Sequence, residues 1–212
     1  MASEPIRDPK TDHLLTPQNA ALLVIDYQPP QVASIGSMDQ QVLVNNIVGV
    51  AKAALVYNLP IVYSTANVNT GLNKPPIAPL HKILGHLPIY DRTSVNAWED
   101  VEFRKAVEAT GRKKLIITAL WTEVCLAFPA LDALREGYEV YVVADAVGGT
   151  SVTSHEMALR RVEQAGSTMI SVAGLICELQ RDWKRKETVP QFVNLLTGMS
   201  GNAGVHFSLA QA

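Results

Sequence analysis

The chain has 212 residues, of which 48% are hydrophobic and 18% are charged, and its formal net charge at pH 7 is −2. This length and composition are typical of one globular domain with an ordinary core and exclude a disordered chain. Because Lys and Arg form no long basic run and no stretch reaches about 20 consecutive apolar residues, neither nucleic acid nor a membrane is an expected partner.

The cellular compartment is predicted from the N-terminus and from the cysteines. Segment 1–18 is polar and lacks the apolar stretch of a signal peptide, so we expect a cytoplasmic protein. The two cysteines, Cys125 and Cys177, lie far apart in the sequence and give no disulfide framework. A reducing compartment would keep both as thiols.

Apolar runs that are typical of β-strands alternate along the chain with amphipathic stretches that are typical of helices. The run 20–26 is apolar up to its last residue, which indicates a strand buried on both faces. Segment 66–87 is rich in Pro, Gly and Asn and is predicted as a long loop, a feature that is usually functional in a compact domain. The predicted strands are 20–26, 60–65, 89–92, 115–120, 139–144 and 168–172.

Helices are predicted from apolar periodicity and from residues that begin or end helices. One helix is expected to begin near Thr153, which fits a capping box with Glu156, and to end at Gly166. The last helical stretch is expected to break near Pro190. The other predicted helices are 39–58, 101–110 and 124–136, and the last stretch is 173–197.

Strands that alternate with helices predict a parallel sheet covered by helices on both faces. In such α/β folds, ligands bind at the carboxyl ends of the strands, where the strand order reverses. Three parts of the chain are expected there: Asp26 at the end of the first strand, Arg92 at the end of the third, and segment 121–125 after the fourth.

Cys125 lies at or near the first turn of the helix that follows the fourth strand. Unpaired N–H groups and the helix dipole favour an anion there, which would lower the thiol pKa and make Cys125 the first cysteine to react with an electrophile. By position alone, a small buried hydrophobic residue is an equal alternative. Cys177 has apolar neighbours on a late helix and is expected to be a buried, inert thiol.

Other residues near these strand ends have both a functional and a structural interpretation. Asp26 is either a catalytic base or a turn residue after the strand. For Arg92, position alone favours a surface ion pair. The aromatic residues nearby in the sequence either line a pocket for an apolar or planar substrate or pack in the core. These aromatic residues are Tyr27, Tyr90, Trp98, Trp121 and Phe128.

Motifs for metals and phosphates are not found in the sequence. The five histidines show no metal-ligand spacing, so neither a metal nor another cofactor is predicted. His155 is the nearest candidate to pair with Cys125 through the fold, but it is better explained as part of a helix start. Segment 148–151 could hold an anion but favours a plain turn. No G-x-G-x-x-G follows Asp26, which argues against a dinucleotide-binding oxidoreductase.

Four segments together resemble the isochorismatase-like hydrolases, over roughly residues 20–183. They are ALLVIDYQ, RTSVNAWED, the run that begins LIITALWTEVC and ends in VVADA, and AGSTMISVAGLICELQRDW. The T-[DE]-x-C block, followed by a helix and a D-A turn, is the specific part of this pattern. The likeness is strongest to the YcaC-type members, which have a similar helical ending after an E-L-x-R-D-W motif.

The resemblance implies a three-layer α/β sandwich, in which a six-stranded parallel sheet of order 3-2-1-4-5-6 has helices on both faces. The hydrolase domain, with its C-terminal helical extension, would span 19–198, between an N-terminal arm, 1–18, and a loose tail, 199–212. The resemblance also implies a homo-oligomer, possibly a large ring assembly. The apolar residues after Ala173 support this, because they exceed what one sheet face readily buries.

The resemblance further implies a catalytic Asp–Lys–Cys set, with Asp26 as the general base and Cys125 as the nucleophile. The family's Lys position falls on Arg92, and arginine effectively cannot release a proton. Arg92 is therefore expected to hold the Asp26 carboxylate and to be a poor proton shuttle. A cis peptide bond is expected between Leu120 and Trp121, and the N–H groups of Trp121 and Cys125 would form the oxyanion hole.

Two comparisons within the family narrow the expected chemistry. Nicotinamidases bind a metal through an Asp-x-His motif, where this chain has Asn67-Val68-Asn69, so metal and nicotinamide are disfavoured. True isochorismatases lack the cysteine, so Cys125 indicates hydrolysis of a C–N bond in a small amide or lactam through a thioester. The competing hypothesis is a catalytically altered paralogue that acts in binding, assembly or redox chemistry.

Overall fold

The computed structural model describes residues 7–198 and 204–205, and in this part of the chain six strands form one parallel sheet. The strands are β1 (Ala20–Ile25), β2 (Ile61–Ala66), β3 (Ile89–Arg92), β4 (Lys114–Ala119), β5 (Glu139–Val143) and β6 (Thr168–Ile170). They lie in the order β3-β2-β1-β4-β5-β6, and every neighbouring pair is parallel. The predicted fold class and strand order are therefore confirmed.

The helices cover both faces of this sheet. Four of the eight begin at a polar side chain that accepts a hydrogen bond from the first turn, namely Asp39, Asp100, Ser151 and Ser171. The helices are α1 (Pro29–Ala33), α2 (Gln40–Val56), α3 (Ala78–Leu84), α4 (Val101–Ala109), α5 (Ala127–Arg135), α6 (Val152–Gln164), α7 (Val172–Gln180) and α8 (Val189–Gly198).

Two apolar clusters, one on each face of the sheet, form the core. Because side chains alternate along a strand, Leu22 and Val24 of β1 join the cluster under α2, α3, α7 and α8, while Leu23 and Ile25 join the cluster under α4, α5 and α6. All six residues of β1 are buried. The central strand thus has helices on both sides, and only its carboxyl end is available for chemistry.

Several predicted boundaries are wrong. The expected loop 66–87 contains α3, in which Leu80 and Leu84 are buried against the core. The cap of α6 is Ser151, which accepts a hydrogen bond from Ser154, and not the Thr153 capping box. The helical ending breaks between α7 and α8, whereas Pro190 lies in the first turn of α8, where its missing N–H costs nothing.

The described part of the N-terminal arm packs against the amino ends of the strands. Asp26 and Arg92 lie at the opposite, carboxyl ends. The Nζ of Lys114, the first residue of β4, donates to the carbonyl of His13. Asp12 forms an ion pair with Arg181 at 3.3 Å. The predicted loose tail, 199–212, lies outside the described residues except for two positions. Within the described residues, no helix is long and apolar enough to cross a membrane.

Candidate active site

Asp26, Arg92 and Cys125 come together at the carboxyl ends of three strands. Asp26 directly follows β1, Arg92 is the last residue of β3, and Cys125 lies in the turn after β4. The chain runs from β1 to β2 on one side and places β4 on the other, so the strand order reverses beside β1. This is the position at which open α/β sheets bind ligands.

The carboxylate of Asp26 and the guanidinium of Arg92 form a buried bidentate ion pair. Nη1 donates to Oδ1 and Nη2 donates to Oδ2, both at 2.7 Å, and each side chain is only 1% exposed. Asp26 has a φ of 62°, in the left-handed region that Asp tolerates better than most residues. The prediction of a surface ion pair for Arg92 is therefore wrong, because the pair is buried at the carboxyl ends of the strands.

Arg92 is held by further contacts that the sequence did not indicate. Nη1 also donates to the Oγ of Ser64 at 3.2 Å and to the carbonyl of Thr65 at 3.1 Å. Nη2 donates to the carbonyl of Val95 at 3.3 Å. Burial acts to lower the pKa of Arg92, but the hydrogen bonds and negative charge of Asp26 outweigh it and raise the pKa. The guanidinium is therefore a fixed positive charge.

Cys125 lies in a single π-helical turn, Thr122–Leu126, that precedes α5. The sequence predicted one helix, 124–136, without this wider turn. The carbonyl of Trp121 accepts hydrogen bonds from the N–H groups of Val124 and Leu126, both at 3.1 Å, and Cys125 stands between these two donors. Such turns are frequent at functional sites. The thiol is partly buried, with Sγ 3.9 Å from the carbonyl of Val95.

The thiol of Cys125 is protonated at neutral pH. Burial raises its pKa, the charge and hydrogen bond of Asp26 raise it further, and the pKa reaches about 12. The charge of Arg92 and the N–H of Trp121 act in the opposite direction but are outweighed. The expected lowering of this pKa is therefore wrong, because the thiol faces a carboxylate in a buried place. The site pairs a neutral thiol with an adjacent base.

This pairing predicts the pH dependence of Cys125 alkylation. In a Cys177→Ala variant, the rate with iodoacetamide should rise about tenfold per pH unit from neutral pH to beyond pH 9, because only the thiolate reacts and its fraction keeps growing. Mass spectrometry of the intact protein at successive times would give the rate at each pH. A rate that levels off below pH 8 would contradict the raised pKa. In denaturant, the alkylation rate of the same variant should level off above the ordinary thiol pKa of about 8.5.

Trp121 links the site to α1. The peptide bond between Leu120 and Trp121 is cis, as predicted. The indole Nε1–H of Trp121 donates to the Oγ of Ser34, just after α1, at 2.6 Å. This bond fixes the partly buried ring of Trp121 beside the π-helical turn Thr122–Leu126, here called the cysteine turn.

Two of the five aromatic candidates for a substrate pocket pack in the core instead. Tyr27 is fully buried, and its hydroxyl donates to the carbonyl of Ala146 at 2.6 Å. Trp98 is buried, with its ring edge-on to Phe103 and Tyr138. For these residues, core packing is the better explanation, because both sides of the ring are covered by protein. The other three candidates, Tyr90, Trp121 and Phe128, are only partly buried.

The remaining polar candidates have structural partners. His155 does not pair with the thiol: its Nδ1 lies 2.8 Å from the Oγ1 of Thr122, and burial lowers its pKa. Segment 148–151 is a turn tied to the cysteine turn, since the N–H and hydroxyl of Thr150 donate to Glu123 at 2.9 and 2.6 Å. Cys177 is exposed and not buried as predicted, because it points away from the apolar face of α7.

Within residues 7–198 and 204–205, no group of three or more His, Cys, Asp or Glu side chains could hold a metal ion. Asp91, beside Arg92, accepts hydrogen bonds from the N–H groups of Val68 and Asn69 and from the hydroxyl of Thr65. Its carboxylate therefore anchors segment 67–69 beside the site.

Comparison with known proteins identifies relatives over most of the chain. The sequence model of the isochorismatase domain matches residues 20–174. The probable hydrolase YcaC of Escherichia coli is 35% identical over 193 residues, which are 86% of this chain and 92% of that protein. Its crystal structure, described as an octameric hydrolase of unknown specificity, has a TM-score of 0.87 over 95% of this chain and 98% of that one.

A second solved structure extends this similarity. YcaC from Pseudomonas aeruginosa, with hexane-2,5-diol and covalent acrylamide, is 32% identical, covers 95% of this chain and 99% of its own, and has a TM-score of 0.87. The same fold, at lower identity, is seen in the nicotinamidase PncA of Bacillus subtilis, with 17% identity and a TM-score of 0.60 over 72% of this chain and 99% of that one.

Proposed function

The chain belongs to the isochorismatase family of hydrolases, and from this premise we propose that it cleaves the C–N bond of a small amide or lactam through a thioester on Cys125. The observation that carries the proposal is the neutral thiol of Cys125 beside the buried carboxylate of Asp26, which is held by Arg92. A thiol needs a base at the moment of attack, and this carboxylate is the adjacent one.

In the proposed first half-reaction, the proton of the Cys125 thiol passes to Asp26 as sulfur bonds to the substrate's carbonyl carbon. The carbonyl electron pair moves to oxygen, where the N–H groups of Trp121 and Cys125 would stabilise the oxyanion. One such donor typically contributes about 10²–10³-fold to the rate. The carbonyl then re-forms, the C–N bond breaks, and nitrogen leaves with the proton from Asp26.

In the second half-reaction, Asp26 takes a proton from water as the water oxygen bonds to the thioester carbonyl. The C–S bond breaks, and the sulfur of Cys125 regains its proton from Asp26. The products are a carboxylic acid and an amine or ammonia, and the protein returns to its starting state. No cofactor takes part in this scheme, and Arg92 keeps its charge throughout.

A relative supports the presence of a reactive nucleophile. The Pseudomonas aeruginosa YcaC structure contains covalent acrylamide, an electrophile that bonds to a nucleophile through its C=C group. The partly buried rings of Tyr90, Trp121 and Phe128 are the remaining candidates to contact an apolar or planar part of the substrate.

A panel of small amides and lactams tests the proposed function. Release of ammonia or acid would be measured for each compound, with the Cys125→Ala variant as the blank. We expect at least one compound to be hydrolysed by the wild type and not by the variant. Hydrolysis at the same rate by both proteins would overturn the thioester mechanism.

We also expect a homo-oligomer, consistent with the ring assembly implied by the family. The Escherichia coli relative is described as octameric, and Trp183, between α7 and α8, is 58% exposed in the single chain. An exposed indole on an apolar helical ending is typical of a surface that another subunit covers. Light scattering at micromolar concentration should give a mass several times the 23.0 kDa of one chain. A stable monomer would contradict this expectation.

A further inference from the structure

The Arg92 guanidinium is held in place by hydrogen bonds within the protein and is not free to move toward a leaving group. Its two Nη atoms donate to both carboxylate oxygens of Asp26, to Ser64 and to the carbonyls of Thr65 and Val95. The remaining Nε–H is buried and has no hydrogen-bond partner among the described residues. Movement of this side chain toward the substrate would break at least two of these contacts and separate a buried ion pair.

Arginine at this position also removes a proton carrier. A lysine could receive the thiol proton and deliver it to the leaving group, whereas a guanidinium effectively never releases one. The ionisable side chains that act most strongly on the Cys125 thiol are Asp26 and Arg92. Asp26 alone therefore has to accept the proton of sulfur and supply the proton of the leaving group.

A proton on Asp26 has a specific cost here. It neutralises the partner of a guanidinium that is 1% exposed, and a buried charge without its partner is strongly disfavoured. Both oxygens of Asp26 are held by Nη1 and Nη2 of Arg92 at 2.7 Å, so the carboxyl group cannot turn toward a leaving group without separating this pair. A strongly basic leaving group, such as an alkylamine nitrogen, cannot depart until it has received this proton. A weakly basic leaving group departs as an anion and does not wait for it.

We propose that Arg92 restricts this site to activated acyl substrates, meaning aryl esters and anilides with electron-poor rings, and that unactivated amides are poor substrates. This inference rests on the proposed function and narrows its substrate class. In the favoured reaction, the thiol proton moves to Asp26, the S–C bond forms, and the C–O or C–N bond breaks as the leaving group takes the electron pair. Asp26 releases the thiol proton to solvent, and the leaving anion takes up a proton from solvent. Water then cleaves the thioester as described above.

A series of acetyl compounds that share one acyl group tests this inference. The series runs from 4-nitrophenyl acetate through phenyl acetate and 4-nitroacetanilide to acetamide, and kcat/KM would be measured for wild type and Arg92→Lys. A general acid typically contributes about 10²–10⁴-fold. The fall in kcat/KM across the series should therefore be steeper in wild type than in Arg92→Lys, by about a hundredfold or more. The control variant Arg104→Lys, at an exposed position on α4, should show the same fall in kcat/KM across the series as wild type.

Ratios within one protein do not depend on how much of that protein is folded, so a partly unfolded Arg92→Lys preparation remains informative. If this variant is inactive, the wild-type series still decides the substrate class. Acetamide hydrolysed by wild type almost as fast as 4-nitrophenyl acetate would overturn the inference and leave the thioester mechanism intact. An equally steep fall in Arg92→Lys would also overturn it. Full activity of Cys125→Ala on the series would instead overturn the proposed function.

Discussion

Replacing Cys125 with Ala should abolish turnover, with a loss of roughly 10⁴–10⁶-fold in kcat, as is typical when a covalent nucleophile is removed. The substituted protein should stay folded, because the thiol is only partly buried and its contact with the carbonyl of Val95 is long, at 3.9 Å. Steady-state assays on any compound that the wild type hydrolyses would measure the loss.

The matched control for this variant is Cys177→Ala, which removes the other cysteine of the chain. Cys177 is exposed on α7, far from the strand ends that carry the site, and its replacement should leave kcat unchanged. The assignment of the nucleophile fails if Cys125→Ala keeps wild-type activity, or if Cys177→Ala loses activity in its place.

Replacing Asp26 with Asn should impair both catalysis and folding. The amide cannot accept the thiol proton, so kcat/KM should fall by about 10²–10⁴-fold, the usual contribution of a general base. The change also leaves the buried charge of Arg92 without its counter-ion, and breaking a buried pair in this way typically costs about 3–5 kcal/mol in the free energy of unfolding. Denaturant unfolding and steady-state kinetics on the same preparation would measure the two effects.

Asp39→Asn is a suitable control for this experiment. Asp39 caps α2 through a hydrogen bond from the N–H of Val42, and Asn is an equally good capping residue. This variant should therefore match wild type in stability and activity. If Asp26→Asn is as stable and as active as wild type, neither the buried pair nor the proposed base has the role assigned to it.

Much of the fold could be predicted from the sequence, because its central strands leave few alternatives. The runs that became β1 and β4 are apolar at nearly every position, and such runs are typical of strands buried on both faces. Once the sheet is parallel, the residues that follow its strands meet at one edge. This is why the sequence alone predicts that Asp26, Arg92 and Cys125 lie close together.

The electrostatics of the site could not be predicted in the same way. A position near a helix start suggested a lowered pKa for Cys125, but the direction of the shift is decided by burial and by the facing carboxylate of Asp26. Asp26 lies about a hundred residues before Cys125 in the sequence, and no local pattern around Cys125 indicates this contact. The contacts of Arg92 with Ser64 and Val95 are likewise products of folding, since no local pattern marks those residues as partners.

Apolar and aromatic residues near the site were also ambiguous in the sequence. Tyr27 and Trp98 lie within a few residues of Asp26 and Arg92, but backbone direction places their rings in the core. Cys177 showed the opposite error: its sequence neighbours are apolar, yet helical geometry turns it outward. In both cases, proximity in sequence was a poor guide to which way a side chain points.

The central claim, a covalent acyl intermediate on Cys125, is tested most directly by mass spectrometry of the protein during turnover of 4-nitrophenyl acetate. Rapid acid quenching should trap the thioester, and digestion should then locate one acetyl group on the peptide that carries Cys125. The adduct should be missing from the Cys125→Ala variant and present in Cys177→Ala. Turnover without any adduct on Cys125, or an adduct found on Cys177 alone, would contradict the account.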